Sequence, residues 1–428
     1  MLHEILYRVG VHFRNKKIQP NFKFLLQSQY WSREKLESYQ NNKLRQLVSI
    51  AYNNSHYYKE LLDDKKIKPE DIQSIKDLGS IPTTSKLKLL QNKDRIQLND
   101  NSEKLYYSET SGSTGKPLVF YRNQDWDAWH NASVFRGYHW HGINPWDRNG
   151  YLWGYNLSKT QALKTKILDA LQNRFRLFSY DDNEIEKFCI KLKKAKFLNG
   201  YSSMIYELAK HIENNKQLKN DIQLKVVKGT SEKIYDSYQT VSKKAFGRRI
   251  ISEYGAAEAG IIAFECPEGN MHVNMETVIV EKIDDQIIIT NLVSNSFPII
   301  RYELGDCIQL DTETICSCGR QSPLIKEVTG RVGKSVYGIK SIYPSLTLYY
   351  IFKNIAIDHN RTLNYQGVQK KKGELELRIE QALSSEDRQL ITNEIKKYFN
   401  DDMHYTITDN QTLVSRSGKT KDFVSDLE

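Results

Sequence analysis

The chain has 428 residues, which predicts roughly two to four domains or subdomains and a core large enough to fold without covalent cross-links. Lys and Arg number 62 against 52 Asp and Glu, a net charge of +10, and 39% of the residues are hydrophobic. This composition excludes a disordered chain, a collagen-like fibre and a disulfide-rich scaffold.

The positive charge is dispersed along the chain, with short basic runs only at residues 191–196 and 370–372. No stripe of alternating basic and aromatic residues is present, so we expect no nucleic-acid partner. A solvated basic surface is the plainer interpretation, and a surface that attracts anionic ligands or a membrane is the alternative.

The N-terminal stretch predicts an amphipathic helix, because Leu2, Ile5, Leu6 and Val9 share one helical face. Packing of this face on the body of the protein is expected, with a membrane-surface helix as the alternative. Glu4 and Arg8 interrupt the apolar core that a secretory signal requires, and no apolar run approaches the ~18 residues of a spanning helix. Five cysteines and no signal predict a cytoplasmic, reducing location, with attachment to the inner membrane as a variant.

Residues 1–100 read as mainly helical, with a helix over 33–62 and a break at residues 81–82. From 101 to 330, short apolar runs alternate with amphipathic helices, which is typical of an α/β domain. The predicted strands lie at 225–227, 249–251, 277–282 and 286–291, and the predicted helices at 184–194 and 203–213.

After residue 331 the pattern changes to that of a small α+β domain of about 95 residues. Strands are predicted at 334–339 and 405–408, a hairpin at 364–369 and 374–379, and helices at 344–354 and 385–399. Glycines at 330 and 333 mark the boundary. The expected division is therefore a helical segment 1–100, the remainder of the large domain at 101–332, and a lid at 333–428.

Residues 107–121 (YSETSGSTGKPLVFY) form the most informative segment of the sequence. Hydroxyl groups, two glycines that permit close approach of backbone N–H groups, and one lysine suit a polyphosphate. The candidates are Thr110, Ser111, Gly112, Ser113, Thr114, Gly115 and Lys116. The segment is not a Walker A loop, because Thr110 replaces the first glycine and Pro117 follows the lysine. A plain hairpin turn is the alternative.

This segment resembles the signature loop of the adenylate-forming enzymes, the acyl- and aryl-CoA ligase superfamily. Residues 227–232 (VKGTSE) resemble the segment beside the adenine, with Gly229 and Glu232, and residues 253–258 (EYGAAE) resemble the next motif. There, the resemblance implies that Tyr254 and Gly255 lie near the base and that Glu258 holds Mg²⁺. Ala257 replaces the usual threonine.

Three further motifs complete the resemblance, which covers about residues 30–420. Asp306, in residues 301–306 (RYELGD), is implied to accept the ribose hydroxyls, and Arg331 to reach the nucleotide. Gly333 stands where the family often has its hinge residue. Lys419, in residues 415–420 (SRSGKT), is implied to assist adenylation, together with Lys116 and Glu258. Within the superfamily the chain is most similar to phenylacetate–CoA ligases and related capsular polysaccharide proteins.

The resemblance implies a large body of α/β layers with a distorted β-barrel, followed by a small mobile C-terminal α+β domain. It also implies an ATP-dependent, AMP-forming ligase that transfers an acyl group to CoA, with homodimers common. Capsule or surface-polysaccharide synthesis, with an amino sugar or amino acid as acceptor, is an alternative role. A relative with weakened catalysis is another. Residues 151–156 would line an acyl pocket or lie in the core.

The cysteine spacing predicts a metal site. Cys266 and His272 form one pair, Cys316 and Cys318 form another, and Gly319 relaxes the turn that follows. Three thiolates and an imidazole would make a closed, structural Cys₃His zinc site. Unpaired reduced cysteines are the alternative, and Cys189 and Cys307 are expected to be packing residues.

Overall fold

The computed structural model describes residues 2–98, 104–110, 118–152, 159–177, 182–215, 218, 221–331, 335–344, 346–359, 361, 363–413 and 423–427. Among these residues, no helix combines the length and the apolar character needed to cross a bilayer. Of the predicted site residues, Ser111 to Lys116 and Lys419 lie outside this set, as does Gly333.

The N-terminal segment is helical, as predicted. It contains α1 (Leu2–Arg14), α2 (Ile18–Ser28), α3 (Arg33–Asn54), α4 (His56–Asp64) and α5 (Lys86–Ile96), with 3₁₀ turns at Pro69–Asp71 and Ile75–Ser80. The single helix predicted over 33–62 is two helices. Ser55 has an extended backbone, and its hydroxyl accepts a hydrogen bond from the Tyr58 amide, so it begins a new helix.

The expectation that the apolar face of α1 packs on the body is wrong. The helix contacts the body through Tyr7 and Val11, and the Tyr7 ring lies 6.0 Å from Phe135 and 6.1 Å from Trp146. These contacts fix the opposite side of the helix. The stripe that begins at Leu2 therefore points away from the protein and is exposed.

The next part of the chain alternates strands and helices. The strands are β1 (Tyr106–Glu109), β2 (Val119–Arg122), β3 (Asn149–Leu152), β4 (Arg174–Arg176), β5 (Phe197–Tyr201), β6 (Val226–Thr230) and β7 (Ile250–Ala256). The helices are α6 (Gln124–Trp140), α7 (Lys159–Leu171), α8 (Asp182–Leu192), α9 (Ser202–Asn214) and α10 (Asp236–Phe246). The alternation read from the sequence is thus confirmed.

Six antiparallel strands follow: β8 (Gly260–Glu265), β9 (Met271–Val273), β10 (Val278–Ile283), β11 (Gln286–Asn291), β12 (Tyr302–Asp311) and β13 (Leu324–Arg331). They join β3–β7 in one sheet of eleven strands, in the order β10-β11-β12-β13-β9-β8-β7-β6-β5-β3-β4. Strands β3 to β7 are mutually parallel, and β8 pairs antiparallel with β7. The antiparallel layer is therefore a continuation of the α/β sheet.

Among the described residues, three hydrophobic clusters pack on this sheet. One joins helices α3 to α5 to the antiparallel strands and contains both Leu47 and Ile289. Another covers the parallel strands with α8, α9 and α10, and contains Val227 and Leu208. The third joins α6 to strands β5 to β8. The helical segment 1–100 consequently shares its core with strands far later in the chain, since Leu47 and Ile289 are 242 positions apart.

The C-terminal part has a core of its own, whose described members all lie between Val336 and Phe423. It contains β14 (Ser335–Tyr337), β15 (Ile342–Pro344), α11 (Leu346–His359), β16 (Tyr365–Lys371), β17 (Glu374–Ile379), α12 (Ser385–Phe399), β18 (His404–Thr408) and β19 (Phe423–Ser425). The predicted hairpin, both helices and the strand at 405–408 are present, but that strand is not the last, because β19 follows and pairs with β16. Ser384 caps α12 and forms a capping box with Asp387, which explains where that helix begins.

The topology positions the candidate site. In a parallel sheet, ligands bind outside the carboxyl ends of the strands. Strands β5, β6 and β7 run parallel, so their carboxyl ends meet at one edge. Gly229 and Tyr254 lie near those ends. The C-terminal part contacts the same half of the molecule, where Lys210 Nζ lies 3.0 Å from Glu380 Oε1.

Candidate functional site

Tyr254 and Asp306 meet at the carboxyl edge of the sheet. The Tyr254 hydroxyl donates a 2.7 Å hydrogen bond to Asp306 Oδ2, across 52 residues of sequence. Asp306 on β12 lies opposite Arg331 on the neighbouring strand β13. Arg331 is the third residue that the resemblance assigns to this part of the nucleotide site. Two residues predicted from separate motifs are thus brought into direct contact. A fixed carboxylate here can accept hydrogen bonds from a vicinal diol.

Glu258 is buried, with 5% of its surface exposed, so it is not an ordinary surface carboxylate. Its Oε1 accepts a 3.0 Å hydrogen bond from the hydroxyl of Tyr302, the first residue of β12. Its backbone carbonyl accepts a 2.8 Å bond from Asn291 Nδ2. Both side chain and backbone are therefore held in place, and the carboxylate offers the oxygen ligand that Mg²⁺ prefers.

The glycines of two motifs are required by close packing. A Cβ on Gly229 would lie 2.6 Å from the Ser202 hydroxyl, and a Cβ on Gly255 would lie 2.4 Å from the Gly260 carbonyl oxygen. Ser202 in turn donates a 3.2 Å bond to the carbonyl of Glu232 and so fixes the loop after β6. The backbone at the predicted adenine segment is consequently tightly shaped.

Thr110 lies at the end of the β1–β2 hairpin. Its amide donates to the Leu118 carbonyl and its hydroxyl accepts from the Leu118 amide, both at 3.0 Å. These two bonds close the base of the segment 111–117. The predicted phosphate segment therefore connects the two strands of an antiparallel hairpin. Both interpretations of the sequence, a phosphate loop and a plain turn, are compatible with this hairpin.

The hairpin is connected to Glu258 through the segment after β11. Ser296 Oγ donates a 3.0 Å bond to the Tyr121 carbonyl on β2, and Phe120 stacks on Phe297 with ring centroids 5.1 Å apart. Asn291, at the start of the same segment, holds the backbone of Glu258. The base of the phosphate hairpin and the predicted Mg²⁺ ligand thus belong to one packed unit.

A buried charged cluster lies beside this unit, and sequence reasoning missed it. Lys228 Nζ lies 2.7 Å from Glu253 Oε2 and 5.2 Å from the centre of the Tyr138 ring. Burial would lower the pKa of Lys228, but attraction to Glu253 and Tyr138 outweighs it and raises the pKa above its usual value. The only local signal in the sequence is a lysine within the apolar strand β6.

His130 on α6 belongs to the same region. It is partly buried, and among the described residues its buried Nδ1 has no hydrogen-bond partner. Burial, with a smaller effect of Arg122, lowers the pKa of His130 to about 4. The imidazole is therefore neutral near pH 7, when it offers one donor and one acceptor.

The four predicted metal ligands come together. The ligand atoms of Cys266, His272, Cys316 and Cys318 all lie within 4.8 Å of one another. The sulfurs of Cys266 and Cys316 are 3.8 Å apart, which equals the edge of a tetrahedron around a metal about 2.3 Å from each sulfur. Gly319, the next residue, has a φ of +83°, so the turn requires glycine.

The surroundings of this cluster suit metal ligation. Ser322 Oγ lies 3.1 Å from His272 Nδ1, which leaves Nε2 facing Cys318 Sγ at 3.2 Å. Burial, reinforced by Arg320, lowers the pKa of His272 to about 4 and keeps the ring neutral. Asn270 Nδ2 donates a 3.3 Å bond to Cys316 Sγ. Cys189 and Cys307 are buried elsewhere, as expected of packing residues.

No family model matches the chain, but two known proteins have similar sequences. The CapK protein of Staphylococcus aureus is 25% identical over 310 residues, which are 68% of this chain and 67% of that protein. The phenylacetate–coenzyme A ligase of Thermus thermophilus is 23% identical over 336 residues, 73% of this chain and 74% of that enzyme.

The fold is similar to that of a solved 2-hydroxyisobutyryl-CoA ligase in its postadenylation state. The TM-score is 0.73 at 16% identity, covering 93% of this chain and 91% of that enzyme. This chain thus has the mixed α/β fold of an acyl-CoA ligase. The resemblance to the adenylate-forming superfamily is confirmed, since the chain is similar to CapK and to a phenylacetate–CoA ligase.

Proposed function

We propose that this protein is an ATP-dependent, AMP-forming ligase that joins a carboxylic acid to CoA. The observation that carries the proposal is the Tyr254–Asp306 hydrogen bond beside buried Glu258, at the edge where the parallel strands end. The relatives support the same activity, since one is a phenylacetate–CoA ligase and the similar structure contains an acyl-adenylate.

The reaction has two steps. A carboxylate oxygen of the acid attacks the α-phosphorus of ATP, the bond to the β-phosphate oxygen breaks, and acyl-AMP and pyrophosphate result. The sulfur of CoA then attacks the acyl carbonyl, the thiol loses its proton, and AMP leaves with the electrons of the broken C–O bond. Both steps develop negative charge on oxygen, which positioned donors and cations stabilise.

The phosphates of ATP would lie on the β1–β2 hairpin, on Thr110 to Lys116, because this segment supplies clustered hydroxyls, two glycines and a cation. Glu258 would hold Mg²⁺, which supplies positive charge to the phosphate oxygens. Its fit rests on the buried carboxylate that Tyr302 and Asn291 hold in place. The base would be surrounded by Gly229, Glu232, Tyr254 and Gly255. The nucleoside would be held by Asp306, which accepts the ribose hydroxyls, and by Arg331.

Lys419 would stabilise the transition state of adenylation, and the lid from residue 333 onward would carry it to the site. Support comes from the resemblance of its motif and from the separate core of the C-terminal part. Residues 1–100 and 101–332 would together form the nucleotide-binding body. In this proposal Gly333 is the hinge region.

Cys266, His272, Cys316 and Cys318 would bind zinc as a closed structural site. The donor set, the 3.8 Å sulfur separation and the hydrogen bond on His272 Nδ1 all fit. With four protein ligands no position is left for a substrate, so the metal would cross-link the β8–β9 turn to the loop between β12 and β13.

The CapK relative supports a role in capsule or surface-polysaccharide synthesis, in which an amino sugar or amino acid would replace CoA as acceptor. A location in the cytoplasm, attached to the inner face of the membrane, fits this role. A homodimer is the proposed assembly, with no nucleic-acid partner. The second candidate function, a nucleotide-binding relative with weakened catalysis, rests on Ala257, which lacks the usual hydroxyl.

The test is pyrophosphate release from the purified protein with a panel of carboxylic acids, MgATP and CoA. We expect release that depends on one class of acid. Lys419→Ala should lower the rate about a hundredfold or more while ATP binding is retained. Exposed Lys65→Ala is the matched control.

If no acid of the panel causes pyrophosphate release, although the protein still binds ATP, the result would favour the relative with weakened catalysis. Transfer from acyl-adenylate to an amine, with none to CoA, would place the protein among amide-forming enzymes. Pyrophosphate release thus reports on the first step of the reaction, and the identity of the acceptor reports on the second.

A further inference from the structure

Helix α1 has its apolar side turned to the outside. At 100° per residue, Leu2, Ile5, Leu6, Val9 and Phe13 fall within a stripe about 100° wide. Tyr7 and Val11, which contact the body, lie on the opposite side. All five stripe residues are exposed, and Phe13 is 84% exposed. An amphipathic helix of a globular protein normally buries this stripe.

Helix α7 has the same inverted arrangement. Leu163, Ile167, Leu168 and Leu171 lie along one side and are all exposed, Leu163 to 63%. Asp169, on the opposite side, is buried and accepts hydrogen bonds from Arg174 at 2.6 Å and from Arg176 at 3.0 Å. Polar contacts therefore fix α7 to the body, and its apolar residues face outward.

Helices α1 and α7 contact each other, and each has an exposed apolar stripe. We call the nine residues the α1–α7 surface: Leu2, Ile5, Leu6, Val9, Phe13, Leu163, Ile167, Leu168 and Leu171. Large contiguous apolar patches mark sites of association. Two helices that both invert their normal orientation are not explained by random placement of single apolar residues.

Charge selects the partner. Residues 2–17 and 159–171 contain seven Lys and Arg against two Asp and Glu, a net charge of +5 out of +10 for the whole chain. Asp169 is paired with Arg174 and Arg176 within the fold, and Arg14 is paired with the buried Asp127, so the two pairings offset each other in this count. A second copy of the chain would bring two such positive surfaces together, whereas an anionic bilayer surface complements both the apolar stripes and the basic rim.

We propose that the α1–α7 surface docks on the surface of a membrane rich in anionic lipids. The nine side chains enter the interface between headgroups and acyl chains, and Lys16 and Lys164, both exposed, contact the headgroups. The inference rests on the peripheral location proposed above and is independent of the ligase chemistry, because pyrophosphate release is measured without vesicles.

The test is co-sedimentation of the full chain with vesicles of phosphatidylcholine and phosphatidylglycerol, compared with phosphatidylcholine alone. We expect binding to the anionic vesicles that weakens as salt is raised. The triple variant Leu6→Gln, Val9→Gln, Phe13→Gln should lose about a hundredfold in partitioning. The matched control carries Leu87→Gln and Ile315→Gln, two exposed apolar residues outside the surface, and should bind as wild type.

A charge variant separates the two contributions. Lys16→Gln with Lys164→Gln should weaken binding to anionic vesicles about tenfold or more, whereas exposed Lys65→Gln with Lys244→Gln should not. Absence of wild-type binding at low salt, or equal binding by the triple variant, would overturn the inference. So would sedimentation equilibrium showing that the triple substitution converts a dimer to a monomer while wild type ignores vesicles.

Discussion

Lys228 and Glu253 form a buried ion pair on adjacent parallel strands, with Nζ 2.7 Å from Oε2 and both side chains less than a tenth exposed. Each residue directly precedes a residue proposed to contact the nucleotide, Gly229 or Tyr254. Taking both charges out of water is unfavourable, and the attraction between them offsets that desolvation only while both partners are present. The ion pair therefore stabilises both the sheet and the positions of the neighbouring residues Gly229 and Tyr254.

Lys228→Met should lower the free energy of unfolding by about 3–5 kcal/mol, because it leaves the Glu253 carboxylate buried without a cation. The double variant Lys228→Met, Glu253→Leu should recover most of this loss. Urea unfolding of the two single variants and the double variant measures the coupling. Additive losses would show that the two residues do not act as a pair. The adenylation rate of the stable double variant then reports whether the charges also serve the substrate.

Asp306→Asn should weaken AMP binding about ten- to a hundredfold, because hydrogen bonds to a charged group are worth about 1.5–3 kcal/mol. Tyr254→Phe should have a smaller effect, since it removes only the hydroxyl that orients Asp306. Calorimetric titration with AMP and with its 2′,3′-dideoxy analogue is the measurement. Glu313→Gln, exposed just beyond the end of β12, is the control. If the Asp306 variant still prefers AMP as strongly, the carboxylate does not contact the diol.

Cys318→Ser should abolish zinc binding and lower the melting temperature by several degrees, because a closed four-ligand site contributes directly to folding. Metal content by mass spectrometry and thermal unfolding are the measurements. Cys307→Ser, a buried thiol outside the cluster, should keep its zinc. A wild-type protein that carries no zinc after expression with added zinc would contradict this prediction.

His130 should make stability depend on pH. Its pKa falls to about 4 in the folded protein, from a usual 6.5, so the unfolded chain binds a proton that the folded chain does not. Stability is therefore complete above pH 6.5 and is lost as the pH falls toward 4. The loss is about 3 kcal/mol in total.

His130→Gln should remove this contribution, so that its unfolding free energy changes less than that of wild type over the same acidic interval. Urea unfolding at several pH values across the interval measures the difference in slope. The neighbouring charged groups Arg122, Glu253, Asp127 and Lys228 are unchanged in the variant. His56→Gln, on an exposed helix start, is the control. Identical slopes for wild type and His130→Gln would contradict the prediction.

Local patterns predicted much of this protein. The strands β6, β7, β10 and β11, the C-terminal hairpin and helix α12 were all expected from periodicity and capping residues. Cysteine spacing predicted a metal set whose four ligand atoms do come together. These features depend on residues close in sequence, or on ligand types with few other uses, and such signals survive without a structure.

What the sequence by itself determined is therefore the fold class, the motifs that resemble those of the superfamily, and the set of cysteines and histidine that come together. Only the tertiary structure decided that Tyr254 donates a hydrogen bond to Asp306, that Lys228 and Glu253 form an ion pair, and that the stripe of α1 faces outward. The physical reason is that partner choice depends on which elements pack side by side. An apolar helical stripe has the same spacing whether it packs on a core or on a bilayer. Likewise, whether a lysine in a strand forms an ion pair depends on which residue the next strand places beside it.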